Sequence, residues 1–73
     1  MYSEKIQKLE NEILELKKYI KKDKKEVKKR EKILSMVVDE ELEVEIEMYK
    51  EEIEIFTNEL KTRKELIKNY KKL

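Results

Sequence analysis

Apolar residues recur at steps of three and four along the first half of the chain, between Ile6 and Val37. Two positions of this series are charged, Asp23 and Arg30. Its apolar members are Ile6, Leu9, Ile13, Leu16, Ile20, Val27, Leu34 and Val37. Steps of three and four place side chains on one side of a helix, at the a and d positions of a coiled-coil heptad. The first half is therefore predicted to be a long amphipathic helix with one apolar seam.

The second half repeats this spacing and is also predicted to be helical. Its seam has Arg63 as the single charged interruption, and its apolar members are Leu42, Ile46, Tyr49, Ile53, Phe56, Leu60, Ile67 and Tyr70. The stretch "VVDEELEVEIEMY" also shows every-other-residue alternation, which alone is typical of a strand. Leu42 and Ile46 belong to the helical seam, whereas Val44 and Met48 lie on another side of the same helix. The alternation is thus interpreted as two overlapping helical stripes.

The two seams do not share a heptad frame, because Val37 and Leu42 are five residues apart. If the two arms run antiparallel about residue 38, each seam residue meets a seam residue of the other arm, as in Leu16 with Leu60 or Ile20 with Phe56. Charge supports the same pairing. It places the basic residues 17–32 beside the acidic residues 33–55, and opposite charges across a seam favour one orientation of coiled-coil helices.

The predicted fold is all-α, an antiparallel two-helix coiled-coil hairpin that forms a single domain over residues 1–73. Helix one is expected at about 3–36, the turn at about 35–40 and helix two at about 39–72. Ser3 is expected to cap the first helix and Asp39 to begin the second. The sequence contains neither Gly nor Pro to mark the turn. One continuous helix in an antiparallel dimer is therefore an alternative that satisfies the same pairing.

A second apolar stripe on helix two predicts a protein interface. Its residues are Val44, Met48, Ile55, Leu66 and Leu73. A two-helix hairpin buries little surface by itself, so this stripe is expected to be covered. A second copy of the chain would give a homodimeric four-helix bundle, and a larger protein partner is the other possibility.

The lysine-rich stretch "KKYIKKDKKEVKKREK", residues 17–32, supports an alternative function in nucleic-acid binding. The candidate phosphate contacts are Lys17, Lys18, Lys21, Lys22, Lys25, Lys28 and Lys29. Arg30 is the one arginine in the stretch and Tyr19 the one aromatic residue, so few side chains there could stack on bases. The favoured interpretation is a solvated helix face whose charge is balanced by the acidic start of helix two.

Candidate chemistry is sparse. The sequence contains no His and no Cys, which removes the commonest general base, the preferred zinc ligands and the thiolate nucleophile. No catalytic residue, metal ligand or cofactor is therefore predicted. The charged N-terminus lacks the apolar run of a signal peptide, so a cytoplasmic location is expected. The predicted function is a non-enzymatic protein–protein interaction module, either an oligomerisation or adaptor protein or an inhibitor of a larger partner.

Overall fold

The computed structural model describes residues 2–73, in which the chain forms two α-helices joined by a short turn. Helix α1 spans Ser3–Leu34 and helix α2 spans Glu40–Lys72. They pack antiparallel along their length in a body 56 Å long and 14 by 13 Å in cross-section. The prediction of an all-α helical hairpin is confirmed. The alternative of one continuous helix is wrong, because residues 35–39 leave the helical path.

Burial in the hairpin follows the predicted seam. Ile13, Leu16, Val27 and Ile46 are the most buried apolar side chains, at 6–8% exposure. Almost all remaining seam residues are half-buried. Two helices meet along only one contact line, so a seam side chain is covered from one direction and stays open at its edges. The hairpin therefore has a narrow core that leaves both of its broad sides in contact with water.

Val37 departs from the predicted seam and is half exposed. Helix α1 ends at Leu34, before the predicted boundary, so Val37 lies in the turn. The following Val38 is 96% exposed. The heptad spacing extends to Val37, but a side chain beyond the last helical turn no longer projects toward the partner helix.

Contacts between the helices agree with pairing about residue 38. Tyr19 stacks on Phe56 with ring centroids 5.7 Å apart, beside the predicted Ile20–Phe56 pair. At the open end of the hairpin, Tyr2 stacks on Tyr70 at 5.3 Å. The predicted antiparallel register is therefore correct to within a few residues along the whole molecule.

The turn is closed by local hydrogen bonds and does not need glycine. The Ser35 backbone N–H donates to the Glu31 carbonyl at 3.0 Å and the Ser35 hydroxyl donates to the Lys32 carbonyl at 2.6 Å. No residue among 2–73 has a positive φ. Asp39 has extended backbone angles, and its Oδ1 accepts a bond from the Glu41 N–H at 2.9 Å. This is the predicted N-cap of α2.

The predicted Ser3 cap is wrong. Ser3 is already the first residue of α1, and the N-cap position belongs to Tyr2, which makes no side-chain capping bond. A cap must precede the first helical residue with non-helical angles, so the serine lies one position too late to act as one.

Candidate functional site

One broad side of the hairpin combines exposed apolar residues with interhelical ion pairs. On α1 it contains the row spaced by seven, namely Glu12, Tyr19, Glu26 and Ile33; on α2 it contains Glu45, Glu52, Glu59 and Leu66. Residues seven apart project to the same side of a coiled-coil helix. The two rows lie on the same side of the seam, because Arg30 of α1 pairs with Glu45 of α2 and Arg63 of α2 pairs with Glu12 of α1. We call this side the apolar flank.

Arg30 joins the two rows near the turn. Its Nε donates to Glu45 at 2.7 Å and its Nη1 donates to Glu26 at 2.6 Å. The guanidinium carbon also lies 4.7 Å from the centre of the Tyr49 ring. The hydrogen bonds to Glu45 and Glu26 raise the pKa of Arg30, and the bond from Arg30 lowers the pKa of Glu26. Arg30, a charged interruption of the predicted seam, therefore lies over the Tyr49 ring and forms its ion pairs on the apolar flank.

Arg63 has the same role near the open end. Its Nε donates to Glu12 at 2.9 Å, and its Nη1 lies 3.9 Å from Glu59 on its own helix. The Arg63 side chain is 28% exposed, so its stem covers the seam while its charged group reaches the edge. Antiparallel pairing about residue 38 places Arg63 opposite Ile13, but it does not identify Glu12 as the ion-pair partner of Arg63. Long side chains adopt many rotamers, which seam spacing does not select.

The predicted interface residues are exposed, and most belong to the apolar flank. Met48 and Ile55 are 64% and 57% exposed and border the Glu45–Glu52 row, while Leu66 lies within it. Met48 lines a shallow groove of about 280 Å³ together with Arg30, Glu45, Tyr49 and Glu52. The structure therefore brings Met48, Ile55 and Leu66 to one side of the hairpin.

Two members of the predicted interface lie away from its centre. Val44 is one helical turn before Met48, and the spacing turns it toward the outer surface of α2. Leu73 continues the row of Leu66 but follows the end of α2, where it is 82% exposed. On α1, Tyr19 and Ile33 belong to the apolar flank and are 51% and 44% exposed. Their seven-residue spacing from Glu12 and Glu26 was the signal that could have assigned them to it.

Asp23 is the one charged side chain among the buried residues, with 5% exposure. It occupies a seam position of α1, and the register fixed by the Arg30–Glu45 and Arg63–Glu12 pairs places Glu52 of α2 beside it. Its Oδ2 atom has no hydrogen-bond partner, and no cation of residues 2–73 forms an ion pair with it. The proximity of the Asp23 side chain raises the pKa of Glu52 above its ordinary value, and burial acts in the same direction.

The lysine-rich stretch divides between two sides of α1. Lys17, Lys21, Lys25 and Lys28 line an open groove with Ile20 and Lys24. Lys24 was not among the predicted phosphate contacts, although it lies seven residues from Lys17 and so on the same side. We call these five lysines the lysine flank. The other predicted contacts, Lys18, Lys22 and Lys29, do not line this groove.

The lysine flank lacks the internal partners expected of it. Within residues 2–73, none of its five lysines lies within 4 Å of a carboxylate, and Lys29 pairs with Glu26 of its own helix at 3.8 Å. Across the seam, Lys50 of α2 reaches Glu31 at 3.9 Å. The expectation that the acidic start of α2 balances this stretch is met by Arg30, which contacts Glu45 at 2.7 Å, and not by the lysines of the flank.

The described residues contain no group of three or more carboxylates placed to hold a metal ion. In the same part of the chain, neither helix has an apolar stretch sufficient to cross a bilayer. Comparison with protein-family models, with curated proteins and with solved structures found no match to this chain. The features of the hairpin that bear on function are therefore its two flanks and the Asp23–Glu52 pair.

Proposed function

We propose that this chain is a non-enzymatic oligomerisation module that binds a second copy of itself through the apolar flank. The observation that carries this proposal is the placement of Tyr19, Met48, Ile55 and Leu66 on one side of the hairpin, all at least 40% exposed. Large apolar side chains grouped on one surface of a small protein are typical of an interface. A larger protein with an apolar helix face would dock on the same flank.

The size of the flank suits a dimer. The hairpin is 56 Å long and 14 Å wide, so one broad side offers about 800 Å². A standard stable interface buries roughly the same area, ~800 Å², on each partner. Covering this side would also extend a core that is one seam wide, giving the four-helix bundle expected from the sequence.

The charges of the flank are self-complementary. Its two rows contain five glutamates, and the guanidinium groups of Arg30 and Arg63 reach four of them from the seam, at the two ends of the hairpin. A two-fold symmetric interface requires one surface that can bind itself. A surface with both signs of charge beside apolar residues meets this requirement, whereas the lysine flank, with one sign, would repel a copy of itself.

The double substitution Met48→Glu with Ile55→Glu is expected to abolish dimerisation. Each change would bury a charge against apolar residues of the second copy, so we expect association at least about a hundredfold weaker. Light scattering should give twice the 9.1 kDa chain mass for the unmodified protein and the single mass for the variant. Circular dichroism checks that the variant remains helical, as exposed glutamate in a helix permits.

A matched control adds the same charge elsewhere on the surface. Gln7→Glu with Asn58→Glu changes two exposed amides outside the apolar flank and is expected to leave the mass unchanged. A monomeric unmodified protein, or a dimer equally weakened by both pairs of substitutions, contradicts the proposal.

The free lysines favour a second candidate function, binding to the phosphates of nucleic acid. For about four phosphate contacts, affinity for a labelled duplex should fall about a hundredfold between about 50 and 200 mM salt. Reversing Lys21, Lys25 and Lys28 to glutamate should abolish this binding, and reversing Lys61, Lys68 and Lys72 should weaken it much less. No salt-dependent binding, or equal loss in both triple variants, excludes this function for the lysine flank.

A further inference from the structure

Asp23 lies buried in the middle of the seam, the exposed Glu52 lies beside it at the edge of the seam, and no cation of residues 2–73 forms an ion pair with either. Asp23 is 5% exposed and one of its carboxylate oxygens has no partner. A buried carboxylate with an unsatisfied oxygen loses hydration that nothing else in the hairpin replaces. Within the hairpin, the nearest group that can relieve this loss is the neighbouring carboxyl group of Glu52, by a proton held between the two side chains.

None of the charged groups around the pair forms an ion pair with it, and several have other partners. On α1, Lys22 and Lys24 flank Asp23 in the sequence, and Glu26 one turn on is bound by Arg30 and Lys29. On α2, Tyr49 is covered by the same guanidinium, which also binds Glu45. The neighbours that could titrate or neutralise the pair are therefore Tyr19, Lys22, Lys24, Glu26, Glu45, Tyr49 and Glu51, and none of them forms an ion pair with Asp23 or Glu52.

Glu52 also belongs to the apolar flank. It lies four residues after Met48 and three before Ile55, so all three share one side of α2. Glu52 and Met48 line the same groove. A second copy docked on this flank would remove water from Glu52, and loss of water penalises the charged form of a carboxyl group.

We infer that self-association through the apolar flank is controlled by acid, because the second copy covers the Asp23–Glu52 pair most favourably when the pair holds a proton. This inference rests on the proposed function. Its sign follows from linkage: the associated form binds more protons than the free form, so association strengthens as pH falls and weakens as pH rises. Glu26 titrates lower on the pH scale than Glu52, because its bond to Arg30 lowers its pKa, whereas the pKa of Glu52 is raised by Asp23.

The test is the dimer dissociation constant measured by sedimentation at about pH 7.5 and about pH 5. We expect the unmodified protein to associate about tenfold more tightly at the lower pH, the factor for about one unit of proton linkage. Glu52→Gln keeps the shape and removes the charge, so it should associate tightly at both values and lose most of the pH dependence. Asp23→Asn should have the same effect from the other helix.

Glu54→Gln is the control, because Glu54 is exposed on α2 outside the apolar flank and its replacement changes net charge equally. It should keep the full pH dependence. If Glu52→Gln and Asp23→Asn both keep it too, the inference is wrong although the proposed function stands. If the unmodified protein is monomeric at both pH values while circular dichroism shows it folded, the proposed function itself fails.

Discussion

Replacement of Asp23 by leucine is expected to raise the free energy of unfolding of the hairpin by about 1–3 kcal/mol. Asp23 is buried at a seam position where an apolar residue would pack against Ile53 and Phe56, and its Oδ2 has no partner. Leucine at position 23 removes an uncompensated charge and adds apolar contact at a seam position, where coiled coils favour leucine. Urea unfolding at a fixed protein concentration measures the change, because association alters apparent stability.

The control for this prediction is Glu51→Leu, which makes a comparable change at an exposed position of α2. Its effect should lie within about 0.5 kcal/mol of zero. A less stable Asp23→Leu variant contradicts the prediction. A variant with several coexisting masses would instead indicate that Asp23 fixes register and partner number, as polar seam residues do in some coiled coils at a cost in stability.

Truncation of Leu16 to alanine is expected to have the largest destabilising effect, about 2–5 kcal/mol. Leu16 is 7% exposed and lies in the uninterrupted apolar run of the α1 seam, between Ile6 and Ile20. A hairpin of this size has a total stability of only about 3–5 kcal/mol, so the variant should be largely unfolded at room temperature. Far-ultraviolet circular dichroism and thermal unfolding measure the loss of helix.

Leu14 provides a closely matched control, because it is the same residue type on the same helix and is 57% exposed. Leu14→Ala removes the same atoms from a surface position and replaces leucine by a better helix former, so its effect should be close to zero. Equal losses in Leu14→Ala and Leu16→Ala would show that the contact between α1 and α2 does not hold the chain in this fold.

The predicted starts of the two helices had different outcomes. Asp39 was correctly predicted to begin α2, because an acidic residue followed by Glu40 and Glu41 satisfies both the capping bond and the helix dipole. The Ser3 prediction had one following acid, Glu4, and the helix begins at that serine, so the cap position belongs to Tyr2. Ser35 closes α1 by hydrogen bonds to preceding carbonyls, an arrangement that no residue-type preference indicated.

The candidate site likewise contains features that the sequence predicted and features that it did not. The exposed stripe of Met48, Ile55 and Leu66 followed from spacing, because a helix projects residues by a fixed angle whatever lies beside it. The partners of Arg30 and Arg63 did not, since a long side chain can reach several carboxylates. The same applies to Glu52, which spacing alone left among many exposed glutamates until its position opposite Asp23 was known.

The sequence by itself determined the helical structure of both halves, their antiparallel pairing and the identity of the buried positions, because heptad spacing and opposite charge blocks repeat along the chain. It did not decide between a hairpin and a rod, since both satisfy the same seam contacts and differ only at residues 35–39. The tertiary structure decided that choice through the Ser35 and Asp39 bonds. It also placed Asp23 against Glu52 and separated the apolar flank from the free lysines, because these relations depend on how the helices rotate toward each other.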